Sequence, residues 1–455
     1  MIYVGGQIGV FFRKIKEKPI YIGERIDIFL ILAMLILIIA PIIINLSFKV
    51  NTETKQANLF LSSRSEELFG RKITEMLIQE FGEKNPDLRV QLLNVHTAAP
   101  AKADTSRTAK KGSQPEEKAR ESDIFIFDDE DFNALIAAGS LMELNSFTNY
   151  ESGSRQLAIP LVSFMDLLFY NIEILSAAGF DRPPKTREEF IAYAKTVSGG
   201  DSPDVYGTAL SLSPNDHASL LRDIFSWIWA NGGDFWAEEN KPVLNTRAVI
   251  SDISFLGSLY RDGALAPSIF ETTGAQRIEE FAQGKTAMII ASSRDIPFLR
   301  EKMGDDAFGI TTIPVPGTGG KYNIGLSAIY VGINANTDHP DEAWSFLEFL
   351  VEKISVLCAE LKAVPGAISQ LIPGDYVKDD FVFYSKAWDI FESSRIVHGF
   401  IGKPDAAEYE TAFMEELRIF FETDRTAQAT VTAIQNRWDE ISAKYETKDE
   451  TKEEQ

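Results

Sequence analysis

The sequence predicts an α/β protein whose globular part follows one transmembrane helix. Three observations support this. A long uncharged apolar run lies near the N-terminus, short strand patterns alternate with amphipathic helix patterns after it, and residues 158–197 combine a strand, a helix, a turn and a second helix. Alternation of strands with helices is typical of layered α/β architectures.

Residues 28–48 carry the membrane prediction. No charged or strongly polar side chain occurs from Ile28 to Ile44, and Leu46 and Phe48 extend the apolar stretch to a length that can cross a bilayer. The stretch ends without small residues in an A-x-A-like pattern, so we expect an uncleaved signal anchor rather than a removed signal peptide. A buried core helix is the alternative. The basic excess in residues 1–27 predicts a cytoplasmic N-terminal segment and an exported remainder.

The first exported unit is a strand, a helix and a strand. Leu59 to Leu61 predict the first strand, apolar positions between 69 and 81 share one helical face, and 88–92 alternate as a second strand. Residues 97–120 contain almost no large apolar residue and predict a solvated loop. A third strand at 124–127 then leads into a helix that Gly139 ends.

Residues 158–197 contain the strongest local signals. Leu167 to Tyr170 form an apolar run suited to a buried strand, and Asn171 can begin a short helix that Gly179 ends in the left-handed conformation. Thr186 followed by Glu189 predicts a capping box at the start of a second helix.

The remaining chain is mainly helical with a few strands. Residues 216–306 predict helices broken by a strand at 287–291, and two further strands are expected at 308–314 and 328–333. The C-terminal third is helical, and residues 445–455 form a charged tail.

Composition excludes several functions. The 455 residues are 45% hydrophobic, which is enough for a sizeable core in two or three domains. The 45 basic and 67 acidic side chains give a net charge of −22, which repels phosphate backbones and predicts no nucleic-acid partner. Cys358 is the single cysteine, so an intrachain disulfide and a thiolate metal cluster are excluded, and we expect a buried, inert thiol.

No motif predicts catalysis. The four histidines are scattered without metal-ligand spacing, and the glycine-rich segment PVPGTGG lacks the Lys-Ser/Thr pair of a phosphate-binding loop. No GxSxG motif and no spaced acid/base pair occurs. The sequence therefore predicts a protein without metal or cofactor that is not an enzyme.

Several segments, in their order along the chain, resemble the bacterial extracellular solute-binding proteins of ABC importers, in the maltose-type class. The resemblance covers residues 56–444. Its segments are FGEKNPDLRVQLLN, SDIFIFDDEDFNALIAAGSLMEL, IPLVSFMDLLFYN with AAGFDRPPKTREEF, WANGGDF, FAQGKTAMIIAS, FGITTIPVPG and HPDEAWSFLEFL. Cys358 cannot be the lipid-modified cysteine that many members carry after the signal peptide.

The resemblance implies a two-lobed periplasmic-binding-protein fold of type II, with a ligand in the cleft and a hinge that closes over it. Lobe 1 would comprise residues 56–160 and 308–358, and lobe 2 residues 161–307 and 359–444.

Family members place ligand contacts on loops at the carboxyl ends of strands and in the crossover between lobes, where polar groups converge. The resemblance therefore implies that the ligand contacts are Asp128, Asp129, Asp131, Phe164, Asp166, Trp229, Trp236, Ser292, Arg294, Ser327 and Trp388.

Alternatives remain open for several of these residues. The acidic group after the third strand resembles one that accepts sugar hydroxyls, but one of its members could instead cap the following helix. Trp229 and Trp236 could stack on pyranose rings or belong to the core. The resemblance offers Trp388 as a stacking aromatic of lobe 2.

Three departures from the family pattern bear on the ligand. Arg294 stands where many relatives have an aromatic residue, and its planar cation suits a carboxylate, a phosphate or a pair of hydroxyls. Residues 97–120 replace what is usually a helix, and Leu167 replaces a small residue.

The resemblance implies a membrane-anchored solute-binding protein on the extracytoplasmic face, which captures a small polar solute, favoured to be a sugar or oligosaccharide. Its partners would be that solute, the membrane subunits of an ABC importer and the bilayer through residues 28–48. The alternative is a sensory or scaffold domain of the same fold that presents to a membrane receptor or kinase.

Overall fold

The computed structural model describes residues 57–93, 122–147, 156–214, 216, 221–237, 241–317, 323–366, 382–397, 399–400, 403 and 405–453. The expected signal anchor at 28–48 and the expected loop at 97–120 lie outside these ranges. Within them, no helix combines the length and the apolar character needed to cross a membrane.

The described ranges contain ten strands. They are β1 (Ala57–Ser62), β2 (Leu88–Leu93), β3 (Ile124–Asp128), β4 (Ile159–Asn171), β5 (Tyr206–Thr208), β6 (Thr286–Ser292), β7 (Phe308–Thr311), β8 (Asn323–Ile333), β9 (Val364–Pro365) and β10 (Arg395–Val397). Hydrogen bonding links them in the order β2-β1-β3-β8-β4-β6-β5, with β10 beside β8 and with β7 and β9 beside β4.

Helices separate most of the strands. They are α1 (Arg64–Phe69), α2 (Arg71–Lys84), α3 (Asp129–Ala137), α4 (Ile172–Ala177), α5 (Arg187–Ser198), α6 (Ser226–Ala230), α7 (Arg247–Arg261), α8 (Gly274–Ala282), α9 (Ile296–Met303), α10 (Pro340–Glu352), α11 (Ile354–Leu361), α12 (Val382–Ser393), α13 (Ala406–Glu422) and α14 (Ala427–Glu453). A π-helical turn, Leu221–Phe225, precedes α6.

Strand β4 passes between two groups of packed elements. Its first part pairs antiparallel with β8, from Ile159 opposite Val331 to Met165 opposite Leu326. Its second part pairs antiparallel with β6, beginning with Asp166 opposite Ser292. The strand is longer than the sequence predicts because Pro160, Ser163 and Asp166 interrupt the apolar pattern but still lie in the ladder.

The two groups have separate cores. Around β1, β3 and the first part of β4, helices α2, α10 and α11 bury a cluster that includes Phe81, Phe164 and Phe346. The second part of β4 is buried on both faces: Leu168 packs with Trp227 on one side, and Phe169 packs with a different cluster on the other. Cys358 is buried in the first cluster, which raises the pKa of its thiol to about 12, so the thiol is inert as expected.

Local signals at 158–197 fold largely as predicted. The Asn171 side chain accepts a hydrogen bond from the Ile174 N–H at 3.0 Å, and Gly179 follows α4 with φ of +89°. The capping box at α5 is only half made. Thr186 accepts from the Glu189 N–H at 3.3 Å, but the Glu189 carboxylate binds the Arg182 guanidinium at 2.8 Å instead of reaching back. A charged donor nearby is the stronger partner for that carboxylate.

Candidate functional site

The acidic residues after β3 are organised by one arginine. Asp128 is the N-cap of α3, where its Oδ1 accepts from the Asp131 N–H at 3.4 Å. The Arg64 guanidinium at the start of α1 donates to Asp128 Oδ2 at 3.1 Å and to Asp131 Oδ2 at 3.0 Å. Arg64 also binds Glu67 at 2.5 Å. Asp128 therefore caps the helix, as one interpretation of the acidic group expects, while its role as a ligand contact stays a prediction.

Asp129 points in a different direction from Asp128. Its Oδ1 accepts from the Tyr330 hydroxyl at 2.9 Å and its Oδ2 from the Ala328 N–H at 3.0 Å, both on β8. Burial raises the pKa of Asp129 to about 7, although the two hydrogen bonds oppose the shift and the charges of Asp128 and Asp166 add to it. The side chain therefore changes charge near neutral pH.

Asp166 lies where β4 leaves β8 and begins to pair with β6. It is buried, and it accepts from Arg222 Nε at 3.3 Å and from the Ser226 hydroxyl at 3.1 Å. Burial raises the pKa of its carboxyl, while the charge and hydrogen bonds of Arg222 and Ser226 lower it. Asp166 therefore binds Arg222 and Ser226 of the protein itself and is also a candidate ligand contact.

The π-helical turn positions Arg222. The next residue, Asp223, is fully buried, pairs with the buried Arg277 guanidinium of α8 and accepts from the Ser211 N–H. Although its own burial opposes the change, the pKa of Arg222 is raised because Asp166, Asp295 and Asp223 surround it with negative charge. Irregular turns of this kind are frequent at functional sites.

The end of β6 carries Ser292 and Arg294. Ser292 is buried and its Oγ accepts from the Arg294 N–H at 3.3 Å. The Arg294 side chain is exposed; its guanidinium lies 5.0 Å from the centre of the Phe164 ring, and Nη2 donates to the Leu68 carbonyl at 3.3 Å. Because Leu68 is in α1 and Arg294 follows β6, this bond joins the two groups of elements.

Phe164 and Ser327 lie opposite each other in the ladder between β4 and β8. Phe164 is almost completely buried in the first core, so only the face under Arg294 is relevant to a ligand. Ser327 is half-buried.

Trp229 and Trp236 pack mainly against other residues of the protein. A Cβ at Gly325 would lie 2.8 Å from the Trp229 ring, and one at Gly399 would lie 2.7 Å from it, so two glycines make room for the ring. Trp236 stacks on Trp438 at 5.7 Å, and Lys403 Nζ lies 3.6 Å from the centre of the Trp236 ring. Its indole N–H donates to the Gly399 carbonyl at 3.1 Å.

Trp388, on α12, is half-buried and its ring contacts Phe391 at 5.6 Å. It packs on the cluster that contains Phe169 and Phe308.

The charged candidates converge at that crossing. The pKa of the Arg294 guanidinium is lowered, first because surrounding protein displaces water; Arg64 and Arg222 lower it further, and Asp128 and Asp295 oppose the change. These electrostatic interactions act between charged side chains from both groups of elements. We name Arg64, Asp128, Asp129, Asp166, Arg222 and Arg294 the charged cluster.

Sequence analysis does not identify three residues of this site, namely Arg64, Arg222 and Tyr330. Arg64 follows β1 just as Asp128 follows β3, so a search for charges at strand ends could have found it. Arg222 sits in an apolar helical pattern and Tyr330 within a strand, and neither position carries a local signal. Among the residues that the structure describes, no group of three His, Cys, Asp or Glu side chains could hold a metal ion.

Comparison with known proteins agrees with this arrangement. Residues 65–354 match the family model described as bacterial extracellular solute-binding protein. A Deinococcus radiodurans protein described as "Probable ABC transporter-binding protein" is 22% identical over 260 residues, which cover 54% of this chain and 59% of that protein. The chain spans about half the length of the curated relatives it matches.

Two solved structures have a similar fold. The sugar-binding protein MalE from Xanthomonas citri superposes with a TM-score of 0.67 at 16% identity, over 87% of this chain and 99% of that one. The cyclic alpha-maltosyl-1,6-maltose binding protein from Arthrobacter globiformis gives 0.66 at 17% identity, over 85% and 98%.

The chain belongs to the bacterial extracellular solute-binding protein family, since the family model covers well over half of it. Its fold is the mixed α/β, two-lobed fold of the MalE structures, as the sequence predicts. Members of this family and the similar structures are binding proteins and not enzymes. The family also indicates an extracytoplasmic position for the described domain and a small-molecule ligand.

Proposed function

We propose that this protein captures a sugar or oligosaccharide between its two lobes and delivers it to an ABC importer. The observation that carries the proposal is the convergence of the charged cluster where β4 crosses from β8 to β6. Carboxylates and guanidinium groups placed together on rigid strand ends can bind several hydroxyl groups in a fixed orientation.

The connection between the lobes supports a cleft that closes. β4 and β8 both run from one core into the other, so these two strands are the natural pivot. Lobe 1 would combine 56–160 with 308–358, and lobe 2 would combine 161–307 with 359–444. The Arg294 to Leu68 hydrogen bond joins the two groups of elements beside this pivot and would hold them together when the cleft is closed.

The ligand contacts that we propose are the charged side chains Asp128, Asp129, Asp131, Asp166 and Arg294, with Ser292 and Ser327 beside them. The face of Phe164 under Arg294 and the edge of Trp229 would complete the apolar part. Trp236 and Trp388 contribute less, because packing against other rings already uses their surfaces.

Membrane attachment is also part of the proposal. Residues 28–48 would act as an uncleaved anchor that holds the binding domain at the outer face of the cytoplasmic membrane, next to the importer. Intact-mass measurement of the protein from membrane fractions tests this. A mass that retains residue 1 supports the anchor, whereas a chain that starts near Phe48 contradicts it.

Ligand capture is tested by thermal unfolding of the purified full chain with a panel of mono- and oligosaccharides that includes neutral and acidic sugars. A ligand at 100 times its dissociation constant should stabilise the protein by about 2.7 kcal/mol. Asp166→Asn, at the crossing, should weaken this stabilisation, while the control Asp305→Asn, at an exposed ion pair with Arg300, should not change it. A panel in which no sugar stabilises the protein would reject the proposal.

A further inference from the structure

Most of the unused hydrogen-bond donors of the cleft belong to two arginines, Arg222 and Arg294. An arginine side chain offers five N–H donors. Arg222 uses Nε for Asp166, and Arg294 uses Nη2 for the Leu68 carbonyl. In the part of the chain that the structure describes, neither residue has another hydrogen-bond or ion-pair partner. Both side chains remain accessible to solvent. The exposed fraction of the Arg222 side chain is 19%, and Arg294 is an exposed residue.

The neighbouring carboxylates, by contrast, already have partners. Asp128 binds Arg64, and Asp129 accepts from the Tyr330 hydroxyl and the Ala328 amide. Asp166 binds Arg222 and Ser226, and Asp295 accepts from the Ser292 amide. The carboxylates around the crossing are therefore satisfied in the ligand-free fold, but the guanidinium groups of Arg222 and Arg294 are not.

The two arginines lie near one another for a structural reason. Asp166, which holds Arg222, is directly opposite Ser292 in the ladder between β4 and β6, and Arg294 follows Ser292 by two residues. The π-helical turn that carries Arg222 packs against β6. Burial lowers the pKa of Arg294, the charges of Asp128 and Asp295 raise it, and the charges of Arg64 and then of Arg222 lower it further, so Arg222 is within electrostatic reach of Arg294.

Two neighbouring guanidinium groups with unused N–H donors favour an oxyanion, although Asp166, Asp295 and Asp223 also lie near Arg222. A carboxylate or phosphate group can accept two parallel N–H bonds from one guanidinium, and this bidentate pairing is among the strongest polar interactions in proteins. The Phe164 ring centre lies 5.0 Å from the Arg294 guanidinium, and of the five N–H donors of Arg294 one is used for the Leu68 carbonyl. A neutral hydroxyl lacks the charge and the second oxygen atom of a bidentate pairing.

We propose that Arg222 and Arg294 together form a subsite for the anionic group of an acidic sugar, a carboxylate or a phosphate carried on the ring. The inference rests on the proposed function, because it names the class of sugar that the cleft takes. Since Arg294 also contacts α1 through Leu68, an anion bound to it would favour the closed arrangement of the lobes.

The test compares matched sugars on the purified full chain by titration calorimetry. The pairs are glucose with glucuronate and cellobiose with cellobiouronate; glucose 6-phosphate and inorganic phosphate separate the possible sources of the anion. An acidic sugar should bind about tenfold or more tightly than its neutral counterpart, the size expected for one charge-assisted bidentate contact. Arg294→Gln and Arg222→Gln should abolish this preference, whereas the control Arg300→Gln, on the surface of the same lobe, should retain it.

The results of this titration distinguish a failure of the anionic subsite from a failure of sugar capture. If neutral sugars bind at least as tightly as acidic ones, the subsite is rejected and sugar capture stands. If only inorganic phosphate binds, and Arg294→Gln abolishes that binding, the oxyanion subsite stands and the sugar assignment fails. If neither sugar nor phosphate binds, both are rejected. Arg294→Gln remains decisive should Arg222→Gln fail to fold, because the Arg294 side chain is exposed.

Discussion

The charged cluster at the crossing of β4 and β8 differs from the aromatic cluster formed by Phe235, Trp236, Phe400, Tyr409 and Trp438. In the aromatic cluster the rings cover each other: Trp438 is fully buried, stacks on Trp236 and donates its indole N–H to the Tyr409 carbonyl at 2.9 Å. In the charged cluster, Arg294 and Arg222 keep accessible, unpaired edges. The difference indicates that the aromatic residues stabilise the packing of their helices, and it supports the proposal that the charged residues bind the ligand.

The largest expected effect is at Trp438. Trp438→Ala removes a ring that contacts five aromatic neighbours among the described residues, and we expect the free energy of unfolding to fall by about 3–5 kcal/mol. Denaturant unfolding measures the change. Trp236→Ala should destabilise less and leave ligand affinity unchanged. A folded Trp236→Ala protein that no longer binds its ligand would break the division between the two clusters.

Titration of Asp129 gives the next largest effect. Its folded pKa of about 7 lies above the value of about 3.9 in an unfolded chain, so the folded state holds the proton more tightly. The stability from this proton is fully present below about pH 4 and is lost as the pH rises through 7. Between pH 5 and pH 8 the loss should be on the order of 2 kcal/mol, since one pKa unit corresponds to about 1.4 kcal/mol.

Asp129→Asn is the matched variant for this titration. Its amide can donate to the Tyr330 oxygen and accept from the Ala328 N–H, as the protonated acid does. The variant should therefore match the wild type below about pH 4 and exceed it in stability by a growing amount from pH 5 to pH 8, as measured by chemical denaturation. Equal pH dependence in the two proteins would contradict the raised pKa.

Gly325 lies between an aromatic and a charged side chain. A Cβ at this position would lie 2.8 Å from the Trp229 ring and 3.0 Å from Asp166 Oδ2. Gly325→Ala should cost about 1–3 kcal/mol in stability through overpacking. The control Gly82→Ala, in the last turn of α2 with open space around it, should instead stabilise slightly, by at most about 0.5–1 kcal/mol. Adding Trp229→Leu to Gly325→Ala should recover part of the loss. No recovery would show that the clash lies elsewhere.

Arg64 gives the smallest effect on stability. Its side chain is partly exposed, so Arg64→Ala should cost about 1 kcal/mol or less even though three carboxylates lose their partner. Ligand affinity should change more than stability, because Asp128 and Asp131 are no longer held in place. Arg71→Ala, whose ion pair with Glu75 is largely exposed, is the control and should change neither. Loss of affinity in both variants would argue for a general electrostatic effect.

Much of the architecture is readable from short sequence patterns. The Asn171 cap, the left-handed Gly179 and the strand at the end of 158–171 depend on neighbouring residues, and such local preferences are expressed in the folded chain. The helix predicted over 69–81 is interrupted because Gly70 adopts φ of +86° and divides it into α1 and α2. The second half of the Thr186 capping box is absent because Arg182 binds Glu189 more strongly.

The sequence by itself determined the α/β class, the family and the acidic group at the end of β3, because these depend on periodicity, motif order and residues adjacent in the chain. Only the tertiary structure decided which of the candidate side chains remain available. Trp236 stacks on a residue 202 positions later, 438 − 236, and Arg222 joins Asp166 across 56 positions. Pairings over such distances depend on how strands and helices pack, and no local pattern records them.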